Sequence, residues 1–295
     1  MYSLQIKVSK LSDSCRIFDY LLLHAVAMYP TKNSLKKAFK KQRIELNGKT
    51  AQTGDWLAEN DVILLHRASD SIHKEFPLDL ELLYEDTFMA VVVKPAGYPV
   101  SGNSYKTIQN ALSYNLCDSE EDDALAIPRP VHRLDKLTSG ILLIAKTRRA
   151  QAHLGLQFEH KTLDKTYVAL VKGRVEGEGR INEPIEEQSA LTHYSSLRYE
   201  RSLSYDWISA VELQPETGRT HQLRIHLSSL KHPIIGDTLY DSKNVLKGKG
   251  LFLCAQKIVF KHPIHSQKMA FEIPVPKKFD ALLNRELRRW EKFKA

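Results

Sequence analysis

The sequence predicts an α+β protein, with a mixed, largely antiparallel sheet and flanking helices behind a small N-terminal α/β domain. From residue 78 onward, short runs rich in β-branched and aromatic residues alternate with Gly, Pro and polar turns, which is typical of strands. Before residue 70, two helical segments, a hairpin signal and a strand form a compact pattern of their own. These two observations predict two domains.

The first domain begins with an apolar helical segment, RIFDYLLLHAVAMY, and continues with a basic one, SLKKAFKKQR. In the basic segment Leu35 and Phe39 lie four residues apart and therefore share one helical face. The other positions carry Lys36, Lys37, Lys40, Lys41 and Arg43. This basic face is either a solvated surface or a contact for phosphate groups. Asn47-Gly48 predicts a hairpin turn, and residues 61–65 predict a closing strand.

SIHKEFP at residues 71–77 is predicted to be a linker, so the expected domains are 1–70 and 78–295. Helices are predicted from residue 147 to about 163 and around 220–230, where Leu223, Leu227 and Leu230 form an apolar stripe. The predicted strands of the second domain are MAVVVK, GILLIAK, KTYVALVKG, DWISAVEL and LFLCAQKIVF.

Composition limits the class of protein. Lys and Arg number 43 against 35 for Asp and Glu, a formal charge of +8 that favours an anionic partner such as nucleic acid. Three separated cysteines indicate neither a disulfide framework nor a cysteine zinc site. The run YLLLHAVAMY is far shorter than the ~20 residues of a membrane span. We therefore expect a cytoplasmic protein that does not bind membranes.

Two clusters are candidates for chemistry. In VHRLDKLTSG, Asp135 lies between basic residues just before a strand, as a salt-bridged structural carboxylate or as a functional one. In PETGRTHQLRIHLSSLKHPIIGDTLY, His221, Arg224 and Ser228 recur at spacings of three and four on one helical face. Arg224 is therefore either a structural ion-pair partner or the partner of a functional carboxylate, since its planar fork suits both carboxylate oxygens.

A metal hydrolase is the competing interpretation of these clusters. His132, Asp135, His221 and His226 together offer imidazole and carboxylate ligands for zinc or iron. However, HQLRIH lacks the glutamate of a zinc-protease helix. We expect no metal, and structural hydrogen-bonding roles for His221 and His226.

Four motifs in order resemble the RluA-type pseudouridine synthases: KPAG, HRLD followed by TSG, KTYVALVKG, and GRTHQLRIHL with HPIIGDTLY. The resemblance covers residues 80 to about 276. The order of helix, basic helix, IELNGK hairpin and GD turn in the first domain resembles the alpha-L RNA-binding module, which accompanies that family. Both domains therefore indicate RNA as the partner.

The resemblance implies that Asp135 is the catalytic aspartate, that Tyr167 contacts the target base and that Arg224 is the partner of Asp135. It further implies that Arg133 displaces the base, with His132 beside it at the RNA. Two departures from the family pattern are Lys136-Leu137, where Arg-Asp is common, and Leu253-Cys254-Ala255, where Leu-His-Ala is common. We expect the first departure to alter local RNA contacts and the second to have little effect.

The implied reaction detaches uracil from ribose, turns the ring and rejoins it through carbon, and it requires no cofactor. We expect ribosomal RNA of the large subunit as the substrate, with transfer RNA as the alternative. A catalytically silent RNA-binding or ribosome-assembly factor is the rival from another class. We expect a monomer without an obligate protein partner.

Overall fold

The computed structural model describes residues 3–9, 14–25, 28–29, 31–66, 75–241 and 248–294. The chain divides into two compact units, Met1–His73 and Lys74–Ala295. Residues 71–74 of the predicted linker lie outside the described residues. Phe76 of that linker is buried among residues of the second unit, and its N–H donates to the Asn110 carbonyl. Residues 75–77 therefore pack as part of the second unit.

In the first unit, two helices pack on a four-stranded antiparallel sheet with the order β1-β4-β2-β3. Its elements are β1 Ser3–Lys7, α1 Ile17–His24, α2 Lys32–Lys40, β2 Ile44–Leu46, β3 Lys49–Thr50 and β4 Val62–His66. A capping box between Thr31 and Ser34 starts α2. Helix α1 ends at His24, before the end of the predicted apolar segment, of which residues 26 and 27 lie outside the described part.

Helix α2 has the two faces that its sequence predicts. Leu35 and Phe39 are buried in the core of the first unit. The lysines at positions 36, 37, 40 and 41 are exposed, and Arg43 is partly exposed. Asn47 and Gly48 have φ values of 51° and 77°, which is the pair of left-handed conformations that a two-residue hairpin turn requires.

The second unit is built on one large mixed sheet with the strand order β10-β11-β12-β9-β13-β8-β6-β5, with β14 paired to β13 and β7 to β8. The β13–β8 pairing is parallel, and the other pairings among described strands are antiparallel. The strands are β5 Glu81–Glu85, β6 Met89–Lys94, β7 Ala124–Pro130, β8 Ser139–Thr147, β9 Asp164–Lys172, β10 Glu178–Ile181, β11 Thr192–Ser202, β12 Asp206–Pro215, β13 Leu253–Lys261 and β14 Lys268–Glu272. The helices are α3 Ile108–Asn115, α4 Arg148–Glu159, α5 Gln222–Ser229 and α6 Lys278–Lys294.

The predicted fold class is confirmed for this unit: a largely antiparallel sheet flanked by helices. The strand expected at residues 89–94 matches β6, and the other four expected strands correspond to β8, β9, β12 and β13. One detail of the predicted α5 is wrong. Leu223 and Leu227 are buried, but Leu230 is 37 % exposed, because the helix ends before it.

The parallel contact between β8 and β13 brings the Asp135 loop next to the strands of the large sheet. Gly140 has a φ of 125°, and a Cβ atom there would lie 2.2 Å from the Ala255 carbonyl oxygen. Only glycine permits that approach. Because Ala255 is also in register with Tyr167 on β9, the glycine of the TSG motif brings the HRLD loop and the KTYVALVKG strand together.

Candidate active site

The second unit contains a cavity of about 520 Å³ beside the loop that joins β7 to β8. The five residues of this unit to which the family resemblance assigned a role all line it: His132, Arg133, Asp135, Tyr167 and Arg224. They come from a loop, a strand and a helix, and Asp135 and Arg224 are 89 positions apart in the chain. The basic residues of α2 belong to the first unit.

The loop after Asp135 is held by the KPAG segment. The Lys94 ammonium group is fully buried and donates to the carbonyls of Pro95, Lys136 and Thr138, at 3.0, 3.2 and 2.6 Å. The Gly97 N–H donates to the Lys136 carbonyl at 2.8 Å. Burial lowers the pKa of Lys94 to about 8, and the Asp135 carboxylate acts against that shift.

Arg224 lies between two carboxylates. Its Nε and Nη2 donate to the two oxygens of Asp237, at 2.7 and 2.8 Å. Its Nη1 lies 3.5 Å from Asp135 Oδ2, which is long for a hydrogen bond. The planar fork that was expected to suit the catalytic carboxylate therefore binds Asp237, because Asp237 meets it side-on. The remaining nitrogen of Arg224, Nη1, faces Asp135.

Asp237 is buried and well satisfied. Burial acts to raise its pKa, but hydrogen bonds from Arg224 and from the N–H groups of Tyr240 and Leu239 outweigh burial and lower the pKa. The Tyr240 ring lies 5.0 Å from the Arg224 guanidinium carbon, a cation–π contact. The guanidinium is thus fixed by a carboxylate and by an aromatic face.

His221 stands at the N-cap of α5 with a φ of 56°, in the left-handed region. Its Nδ1 lies 3.0 Å from the Tyr240 hydroxyl, and its Nε2 lies 3.9 Å from Asp135 Oδ2. A non-glycine residue in this conformation costs about 1 kcal/mol or more and persists where the surroundings hold it. Here the conformation turns the imidazole toward Asp135.

Tyr167 lies on β9, with Leu213 of β12 and Ala255 of β13 as its neighbours across the sheet. Burial raises the pKa of its hydroxyl, and the Asp135 charge adds to that shift. The phenol therefore stays protonated at any physiological pH. Its ring borders both the cavity and the hydrophobic core.

Two histidines of the competing metal interpretation have structural partners. His132 Nε2 accepts from the Leu143 N–H at 3.0 Å, and its ring stacks on Phe158 at 4.6 Å. His226 is buried, with its ring nitrogens 2.9 Å from Thr192 Oγ1 and 3.0 Å from the Glu183 carbonyl. Within the described residues, no group of three or more potential ligands is arranged to hold a metal ion.

The sequence patterns did not identify Asp237 and Lys94 as site residues. Both lie in motifs that carried the family resemblance, HPIIGDTLY and KPAG, and this was the available signal. Gly236 makes the position of Asp237 possible, since its φ is 83° and a Cβ there would lie 2.0 Å from the Gly250 carbonyl oxygen. Local sequence periodicity predicts neither the Asp237–Arg224 pair nor the hydrogen bonds of Lys94.

Residues 89–229 match the family described as RNA pseudouridylate synthase. An uncharacterized RNA pseudouridine synthase of Aquifex aeolicus is 33% identical over 86% of this chain and 89% of its own length. A ribosomal large subunit pseudouridine synthase D of Xanthomonas campestris is 32% identical over 92% of this chain and 89% of its own length. The expected resemblance to pseudouridine synthases is thereby confirmed.

A solved structure has the same catalytic fold. The human RNA pseudouridylate synthase domain containing 1 superposes with a TM-score of 0.56 and 25% identity, over 71% of this chain and 95% of that one. Among the residues that the structure describes, no helix has the length and apolar character needed to cross a membrane. The chain belongs to the RNA pseudouridine synthase family, isomerases that convert uridine to pseudouridine in RNA.

Proposed function

We propose that this chain isomerises uridine in large-subunit ribosomal RNA and that Asp135 is its catalytic aspartate. The observation that carries the proposal is the placement of one partly buried carboxylate beside Arg224, in a cavity that Tyr167 also lines. Of the other carboxylates lining the cavity, Glu216 lies 2.7 Å from His193 and Glu159 is exposed. Asp135 is therefore the acidic group best placed to meet a nucleoside.

The proposed chemistry is an isomerisation. The bond from ribose C1′ to uracil N1 breaks, the ring turns, and C1′ bonds to C5. The proton on C5 leaves to solvent and N1 gains one, so atoms and electrons balance without a co-reactant. A glycosidase would place two carboxylates across the bond, whereas one suffices here.

Arg224 lies beside the Asp135 carboxylate, with its Nη1 3.5 Å from Oδ2. A charge in a half-closed cavity loses hydration, and a neighbouring cation offsets that loss. Because Asp237 already neutralises Arg224 in part, Asp135 is not locked in a tight ion pair with Arg224. It thus remains free to reach the nucleoside.

The target base must leave the RNA stack to reach Asp135, at a cost of a few kcal/mol. Arg133 is exposed at the rim of the cavity, where its side chain is able to fill the vacated position. The Tyr167 ring offers a face for the extruded uracil. Replacing Arg133 should therefore weaken productive engagement of RNA.

Two observations bear on the RNA substrate, and we place the activity in the cytoplasm. Several relatives at about one-third identity carry the name ribosomal large subunit pseudouridine synthase D. The first unit presents the exposed basic face of α2, as expected of an alpha-L module that binds structured RNA. In this proposal the first unit delivers the RNA and the second modifies it, as a monomer.

The test is release of tritium from RNA labelled at uracil C5, because that carbon must lose its hydrogen. Large-subunit ribosomal RNA and transfer RNA are incubated separately with the wild type, Asp135→Asn and a control, Asp118→Asn, an exposed acid that does not line the cavity. We expect release from ribosomal RNA by the wild type and the control, and none by Asp135→Asn.

Each other outcome changes a specific part of the proposal. Release from transfer RNA alone would reassign the substrate. Undiminished release by Asp135→Asn would remove Asp135 from the catalytic role. Salt-sensitive binding of both RNAs without release would favour a silent RNA-binding factor.

A further inference from the structure

A second cavity of about 820 Å³ adjoins the one that contains Asp135. It lies along β9, β12 and β13, where Thr166, Gln214 and Gln256 line it with groups able to donate and accept hydrogen bonds. Four carboxylates also line it: Asp164, Glu212, Glu216 and Glu272. Glu212 accepts from Gln214 at 2.9 Å, and Glu272 lies 2.9 Å from Lys257. The two cavities share part of their lining. The shared residues are Phe158, Lys161, Lys165, Pro215 and Glu216.

Lys165 stands at this shared wall without a described partner. No ion pair or hydrogen bond joins its ammonium group to another described residue, although the side chain is largely buried. Burial lowers the pKa of Lys165, and the charge of Lys161 lowers it further. Burial lowers the pKa of His132 to about 3, and the positive charge of Lys165 contributes to that shift.

Lys161 brings a second cation to the same place. It follows the end of α4 with a φ of 55°, is exposed, and lines both cavities. Glu216, the carboxylate that also lines both cavities, lies 2.7 Å from His193. Two neighbouring ammonium groups repel each other, and an anion between them would relieve that repulsion.

We propose that Lys161 and Lys165 bind the phosphodiester group that joins the target uridine to its neighbour, and that the second cavity receives the neighbouring nucleotide. The proposal rests on the proposed function, because it takes the first cavity as the seat of the uridine. A phosphate fits the site because its negative charge complements both lysines. It also links two adjacent nucleotides, just as the shared wall lies between the two adjacent cavities. Thr166, Gln214 and Gln256 then face the neighbouring base.

The test measures binding rather than turnover. A fluorescent oligoadenylate of about nine nucleotides with one central uridine is titrated at salt concentrations from about 50 to 200 mM. Lys165→Met and Lys161→Met should each weaken binding about tenfold and reduce the salt slope by about 0.7, the value for one phosphate on a single strand. Methionine preserves side-chain length, and thermal melting verifies the fold of each variant.

Lys231→Met is the matched control. Lys231 follows α5 as Lys161 follows α4, with a φ of 63°, and it is exposed and outside both cavities. Its substitution should leave affinity and slope unchanged. Equal slopes for the wild type and both cavity variants, or an equal loss in Lys231→Met, would overturn the proposal.

A neutral methylphosphonate at either linkage of the uridine locates the contact. At one of the two linkages, the methylphosphonate should weaken wild-type binding about tenfold. The same substitution should not weaken the binding of Lys165→Met any further. Additive losses at both linkages would refute the assigned contact. Because these readouts need no isomerisation, absence of tritium release would contradict the proposed function while leaving the binding result to stand or fall separately.

Discussion

At the scale of single residues, the site depends on how Arg224 divides its donors between Asp237 and Asp135. The bidentate pair with Asp237 is buried, so one partner cannot be removed without leaving an uncompensated charge. Asp237 is thus a positioning residue, which holds the guanidinium with one nitrogen 3.5 Å from Asp135 Oδ2.

We predict that Asp237→Asn lowers the free energy of unfolding by about 3 kcal/mol and reduces kcat by about 100-fold, because Arg224 then shifts toward Asp135. Urea unfolding and single-turnover tritium release measure the two effects. Asp206→Asn, which breaks an exposed pair with Arg201, should cost less than about 1 kcal/mol and leave kcat unchanged. Similar losses in both variants would contradict the positioning role.

Lys94 makes stability depend on pH. Its folded pKa of about 8 lies below the unfolded value of about 10.4, so between those values the unfolded chain binds more protons. The contribution of Lys94 to the free energy of unfolding is therefore lowest below pH 8 and rises as pH increases through that window. The full change is about 3 kcal/mol.

Urea unfolding of the wild type and Lys94→Met at about pH 7, 9 and 10 checks this prediction. The difference between the two proteins should move in favour of the wild type as pH rises. A constant difference across the series would show that the ammonium group keeps its proton, held by its three carbonyl partners.

At the scale of elements, the approach of β8 to β13 through Gly140 sets the position of the Asp135 loop. We predict that Gly140→Ala destabilises the fold by about 3 kcal/mol or more, because its Cβ would meet the Ala255 backbone and its φ is positive. Calorimetric melting measures the change. Gly155→Ala in α4, where a Cβ meets nothing within 4 Å, should instead stabilise by about 0.5 kcal/mol or slightly more. Equal effects would refute the close-contact explanation.

At the scale of the whole molecule, the formal charge of +8 includes the exposed lysines of α2 in the first unit. We predict that replacing Lys36, Lys37 and Lys40 of α2 and the adjoining Lys41 by Gln weakens RNA binding and reduces its salt slope by up to about 3 to 4, at 0.7 to 0.9 per phosphate contact. Because the isomerising site is untouched, kcat at saturating RNA should persist. Filter binding and tritium release measure the two quantities.

The matched control removes the same charge from exposed positions of the second unit: Lys106, Lys249, Lys268 and Lys292. Its salt slope should fall by less than that of the α2 variant. An equal decrease would mean that net charge, rather than the basic face of α2, attracts the RNA.

The sequence by itself determined the fold class, the main strands, the two faces of α2 and the family. The alternation of apolar and polar residues in strands and the spacing of apolar residues in helices are local patterns. The Asn47-Gly48 turn and the HRLD motif are likewise recognised within a few residues. The nomination of Asp135, Tyr167 and Arg224 followed from the motifs, and the structure brings all three to one cavity.

Only the tertiary structure decided that Arg224 makes its bidentate pair with Asp237 and that Lys94 donates to three backbone carbonyls. It also decided that Lys165 lies without a described partner at the wall shared by two cavities. Arg224 and Asp135 are 89 positions apart, and Lys94 and Thr138 are 44 apart. Such contacts depend on how distant strands and helices pack together, and the local periodicity of the sequence does not predict that packing. Gly140 permits that placement through the close approach of two backbones, which sequence spacing does not record.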